Sequence, residues 1–96
     1  VTLSKQKARA IIIDDLEYRW LVKQSGDEPA LDLEVFVQTA ENPGQTIFTQ
    51  IEHGKIVSIS PRFVREFILY ALDRGWQPYQ KGKITYYEFA PSKLTN

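Results

Sequence analysis

The chain has 96 residues, no cysteine, and 12 basic side chains balanced by 12 acidic ones. That length makes one small domain, and the missing cysteines exclude disulfides, thiolate zinc sites and a cysteine nucleophile. The neutral balance argues against a nucleic-acid partner, because phosphate neutralisation rewards a clear basic excess.

The halves do differ: residues 1–48 hold five basic and eight acidic side chains, and residues 49–96 hold seven and four. Hydrophobic residues at 43% and charged residues at 25% sit near the globular average, so a packed core is expected. No run approaches the roughly 20 apolar residues that span a bilayer, and no hydrophobic signal segment is legible. The expectation is a cytoplasmic protein with no membrane contact.

In chain order, the first segment is ambiguous. Ser4–Ala10 contains good helix formers, while the three isoleucines of Ala8–Ile13 favour a strand. The strand is preferred, turning at Asp14-Asp15 to pair with Tyr18–Lys23, where Tyr18, Trp20 and Val22 share a face. Gly26-Asp27-Glu28-Pro29 reads as a loop. Leu33–Gln38 alternates again, with Leu33, Val35 and Val37 together. Asn42-Pro43-Gly44-Gln45 fits a type II turn, with Pro at the second position and Gly at the third. Thr46–Glu52 is the next strand. His53-Gly54 suits a two-residue hairpin that returns along Lys55–Ile59.

Residues 61–74 carry a complete helix signal. Ser60 is a good N-cap and Pro61 a good first helical residue. Ile59 and Val64 match a hydrophobic staple. Val64, Phe67, Ile68, Ala71 and Leu72 form the apolar stripe, flanked by Phe63 and Tyr70. Gly75 suits the left-handed stop, and Pro78 prevents continuation. Leu69 stands alone as an apolar residue among charges and hints at a contact. Lys81-Gly82-Lys83 is a turn, and Ile84–Phe89 a final strand. The predicted fold is α+β: an antiparallel meander of about five or six strands with one helix packed across one face.

Sites of chemistry are scarce. His53 is the only histidine, and its place at a hairpin tip suits a turn better than acid–base work. Asp14-Asp15 and Asp27-Glu28 sit in predicted turns, where Asp bonds its own backbone. Ser60 is explained by capping, and no nucleophile elbow, phosphate loop or dinucleotide fingerprint exists. No metal or cofactor is expected.

The unusual features are aromatic. Tyr18-Arg19-Trp20 and Trp76-Gln77-Pro78-Tyr79 carry the residue types enriched at binding hot spots. They are equally what fills a small core, with Arg19 paired to Glu17 or Glu34 instead of lying over Tyr86 or Tyr87. Several strands also carry apolar residues on both faces, with Leu21 beside Trp20, Phe36 between Val35 and Val37, and Phe48 between Ile47 and Thr49. One helix covers one face, so the second needs another cover.

Tyr18-Arg19-Trp20-x-Val22 and Ser60-Pro61-x-x-Val64…Gly75-Trp76-x-Pro78 resemble small uncharacterised bacterial proteins. Those join a Tyr-Arg-Trp strand to a Ser/Thr-Pro helix ending in Gly-Trp-x-Pro. The likeness spans roughly residues 10–90. It implies an α+β fold and a bacterial source, and brings no activity with it.

Three functions stay open on the sequence. The first is a non-enzymatic protein-interaction module, self-associating as a homodimer or meeting another protein through the uncovered face. Arg19, Phe36, Phe48 and Leu69 are candidate contacts for it. The second is a small-molecule binder or minor enzyme with a pocket between sheet and helix, lined by Trp20, Trp76, Tyr79 and Tyr86. The third is a binder of single-stranded nucleic acid on the sheet aromatics.

Overall fold

The structure is a computed structural model and describes residues 8–24, 33–51 and 59–89. Five strands form one sheet: β1 (Arg9–Ile13), β2 (Leu16–Gln24), β3 (Leu33–Thr39), β4 (Ile47–Ile51) and β5 (Thr85–Tyr86), with helix α1 (Pro61–Asp73) between β4 and β5. Their spatial order is β1-β2-β3-β4-β5. The class is α+β, and the first four strands pair antiparallel in sequence order.

The β1–β2 turn follows from its residues. Ile13 lies opposite Leu16, which leaves Asp14 and Asp15 as a two-residue loop. Their φ angles are 51° and 66°, the pair of left-handed residues that a type I′ turn needs to match strand twist. Asp tolerates that region better than most residues because its short side chain bonds locally.

Alternation then sorts the side chains. Tyr18, Trp20, Val35, Val37, Ile47 and Ile51 are buried on one face. The apolar stripe of α1 meets them: Phe63, Val64, Phe67, Ile68 and Ala71 belong to the same core cluster. Leu69 is half-buried against that cluster.

Both ends of α1 are built as the sequence indicates. The Phe63 N–H donates to Ser60 Oγ at 3.2 Å, which satisfies one orphan donor of the first turn. At the other end Gly75 has φ 99°. The Gly75 N–H donates to Leu72 O at 3.1 Å and the Trp76 N–H to Ala71 O at 3.0 Å, the paired bonds of a Schellman stop. Trp76 is thereby folded back into the core, 5.8 Å from the Tyr18 ring.

Three expectations are corrected. The last strand does not continue the meander: β5 runs parallel to β4, with α1 as the crossover. It is also two residues long, not the six of Ile84–Phe89. The Thr85 N–H donates to Thr46 O and the Tyr87 N–H to Phe48 O. Phe89 then leaves the sheet to pack against Phe63, Phe67 and Tyr70, with ring centroids 5.1–5.7 Å apart. Burial of that ring against the helix ends the ladder.

The third correction concerns Gly44. The only positive-φ glycine among the described residues is Gly75, and in the 42–45 turn it is Asn42 that takes φ 48°. A type II turn is therefore not formed. Gly44 is needed for room: a Cβ there would stand 2.5 Å from Tyr79 C, 2.6 Å from Pro78 O and 2.7 Å from Gln80 O. The Gly44 N–H donates to Pro78 O at 3.1 Å across that approach. The expected Gly26–Pro29 loop, the His53-Gly54 hairpin and most of its return strand lie outside the described residues, as does the Ser4–Lys7 segment.

Candidate functional site

The face opposite α1 is organised by register. Leu21 lies opposite Phe36, Phe36 opposite Phe48, and Phe48 beside Tyr86. One row of four large apolar side chains thus crosses four strands. The Phe36 and Phe48 rings stack at 5.2 Å and 21°, and Tyr86 tilts against Phe48 at 5.4 Å. Such cross-strand aromatic pairs each contribute a few tenths to about 1 kcal/mol. Exposure is graded along the row: Leu21 is 8% exposed, Phe36 and Phe48 are half-buried, and Tyr86 is 49% exposed. Ile84, just before β5, is 40% exposed and extends the apolar end.

Charge flanks the row on both sides. Lys23 and Glu34 lie opposite each other in the next row, and Lys23 Nζ sits 5.4 Å over the Phe36 ring. On the other flank Arg19 lies opposite Gln38, with Glu17 two residues on. Gln38 is buried, and its Oε1 accepts from Thr46 Oγ1 at 3.0 Å.

The residues singled out in sequence fall in three places. Arg19, Phe36, Phe48 and Tyr86 share the face opposite the helix. Trp20 and Trp76 belong to the core, and Leu69 is half-buried against it. Tyr79 is exposed in the segment after α1. Trp20, Trp76, Tyr79 and Tyr86 are therefore not gathered around one space, since Tyr86 is on the far side of the sheet from both tryptophans. The Trp76 indole N–H donates to Gln45 O at 3.2 Å and fastens the helix end to the β3–β4 connection.

Arg19 is over no ring among the described residues. The cations that are so placed are Arg9 on Trp20, Lys23 on Phe36 and Arg74 on Tyr70. A cleft of about 250 Å³ lies between Arg9, Trp20, Leu21, Val22 and Ile59. Small-molecule sites commonly measure about 300–1,000 Å³, so this cleft is small for a ligand. Trp20 Nε1 beside it is buried without a hydrogen-bond partner.

Titration adds little chemistry. Burial raises the Tyr18 phenol above its usual 10.0, with Tyr79 and then Asp14 adding to it. Among the described residues no three His, Asp or Glu side chains group as metal ligands, and no helix is long and apolar enough to cross a membrane. His53 lies outside the described residues.

Sequence reasoning passes over Ile12, which is 67% exposed on β1. The alternation in Ile11–Ile13 is the available signal, because adjacent strand residues point to opposite faces. No known protein family, curated protein or solved structure matches the chain.

Proposed function

We propose that this chain is a non-enzymatic protein-interaction module that self-associates through the sheet face opposite α1. The observation that carries the reading is the Leu21–Phe36–Phe48–Tyr86 row, in register across four strands and ending in the exposed pair Ile84 and Tyr86. Contiguous exposed apolar groups rimmed by charge mark interaction sites. The rim carries both signs, with Lys23 beside Glu34 and Arg19 near Glu17. A face of that kind complements itself: under a two-fold axis, the cations of one copy meet the carboxylates of the other.

The test is sedimentation of the wild-type chain beside an Ile84→Asp/Tyr86→Asp variant. Both positions are exposed, so circular dichroism should show an unchanged fold. The variant is expected to self-associate at least about tenfold more weakly, because a desolvated unpaired carboxylate opposes the contact. Equal association of the two proteins would sink the reading. Salt-sensitive binding of a single-stranded oligonucleotide, lost in the same variant, would replace it with the aromatic-platform alternative.

A further inference from the structure

A sheet has edges as well as faces, and its two edges differ here. β5 is blunted by its length of two residues. β1 is five residues long, Arg-Ala-Ile-Ile-Ile, and pairs with β2 without a bulge. Proteins protect an edge strand with charges, prolines, bulges or a cover. β1 has one charge, no proline and no bulge, and among the described residues nothing pairs with its outer side. Ile12 is 67% exposed, with its side chain on the sheet face opposite α1.

The hydrogen-bond parity of that edge follows from the turn. A two-residue hairpin closes on a hydrogen-bonded pair, here Ile13 with Leu16, and bonded pairs then alternate. Ile11–Tyr18 and Arg9–Trp20 are therefore bonded pairs, and Ala10 and Ile12 direct their N–H and C=O groups away from β2. The Ala40 N–H bond to Glu17 O fixes the same parity from the β3 side.

The geometry points to β1 as a second contact between copies of this chain, made by antiparallel pairing of β1 with β1 of another copy about Ile12. The faces match only if odd residues meet odd and even meet even. Centring the two-fold axis on Ile12 satisfies that condition. It sets the most exposed isoleucine against its own copy and brings Ala10 opposite Asp14. Arg9 of each copy then reaches the Asp14-Asp15 turn of the other, so two charge matches form by symmetry. Centring on Ile11 would instead place Arg9 against Ile13 and Ile12 against Ala10, with no contact between the two copies of Ile12. The occupant is thus a second copy, selected by charge as well as by backbone complementarity.

This contact does not depend on the face contact. Its two-fold axis stands perpendicular to the sheet, whereas the axis of a face-to-face dimer lies parallel to it. Where the two axes meet, the two contacts close into a tetramer.

The absence of cysteine from the chain makes the register testable. In Ile12→Cys the new residue lies opposite itself in a bonded pair, with Cα atoms about 5.5 Å apart, inside the range a disulfide spans. In Ala10→Cys the two thiols are carried by Cα atoms about 14 Å apart, too far to bridge. Mild oxidation at micromolar concentration is expected to give about tenfold more covalent dimer from Ile12→Cys than from Ala10→Cys. Ile12→Lys, at an exposed position that leaves the fold intact by circular dichroism, is expected to halve the assembly mass.

Equal cross-linking of the two cysteine variants, or an unchanged mass for Ile12→Lys, would overturn the proposal. Ile12→Cys combined with Ile84→Asp/Tyr86→Asp should cross-link as well as Ile12→Cys alone. Failure of the face contact is thereby separated from failure of the edge contact.

Discussion

Gly44→Ala is the most demanding test of the fold that supports the face. The added methyl would stand 2.5–2.7 Å from three backbone atoms of Pro78, Tyr79 and Gln80. Backbone on both sides leaves no flexible side chain to yield. Overpacking of this kind costs about 1–3 kcal/mol. Separating the segments enough to relieve it also breaks the Gly44 N–H bond to Pro78 O, worth about 1 kcal/mol. The sum is a loss of about 2–4 kcal/mol, and at about 4–8 °C per kcal/mol the midpoint should fall by about 8–30 °C. Urea and thermal melts followed by circular dichroism measure it. Gly44→Asn separates the two explanations of this glycine. A left-handed turn residue would accept Asn well, whereas a site closed by backbone should reject Asn at least as strongly as Ala. A change under about 0.5 kcal/mol for Gly44→Ala, or tolerance of Asn alone, would refute the close-approach argument.

Four further outcomes follow from single groups. Thr49 Oγ1 is buried without a hydrogen-bond partner, so Thr49→Val should stabilise by about 1 kcal/mol in urea melts, since it removes a desolvated hydroxyl at nearly constant shape. Ser60→Ala removes the acceptor of the Phe63 N–H and should destabilise by about 1 kcal/mol. Asp15 holds φ 66°, so Asp15→Gly should stabilise by up to about 1 kcal/mol, read as a higher melting midpoint. For Tyr18 the folded phenol titrates above its ordinary 10.0, and the unfolded chain loses that proton first. Its contribution to stability is intact below pH 10 and lost as pH rises through the raised value; alkaline melts of Tyr18→Phe should show a shallower loss than wild type.

The helix is legible in sequence because its signals are local. A hydroxyl at the cap, Pro at the first position and Gly past the end each act within a few residues, and α1 starts and stops where they stand. The faces of β2, β3 and β4 are legible because period-2 alternation is also local. What escapes the sequence depends on distant partners. Gly44 owes its identity to residues 78–80, and no pattern near Asn42–Gln45 records that approach. The partner of β5 depends on where a crossover helix returns the chain, so sequence does not place Tyr86 beside Phe48. Parity assigns Leu21, Phe36 and Phe48 to one face, but their alignment into a row is a register fact, and register needs pairing across loops. The pocket expectation has the same weakness: it groups Trp20 and Tyr86 by residue type, while the pairing of the strands puts them on opposite faces.

A helix of 13 residues is about 20 Å long and about 10 Å wide. Its apolar stripe packs into the core on one face of the sheet. The two surfaces left over lack different things. The aromatic row lacks apolar contact, while its central strands are already paired on both sides. Among the described residues β1 lacks outward hydrogen-bond partners for Ala10 and Ile12, and only one of its isoleucines is strongly exposed. A carboxylate placed at Tyr86 acts on the first deficit and leaves the second untouched; the Ile12 side chain shares the face of the row, so Ile12→Cys cross-linking in the Ile84→Asp/Tyr86→Asp background is the measurement that isolates the edge. That measurement makes the two contacts individually refutable.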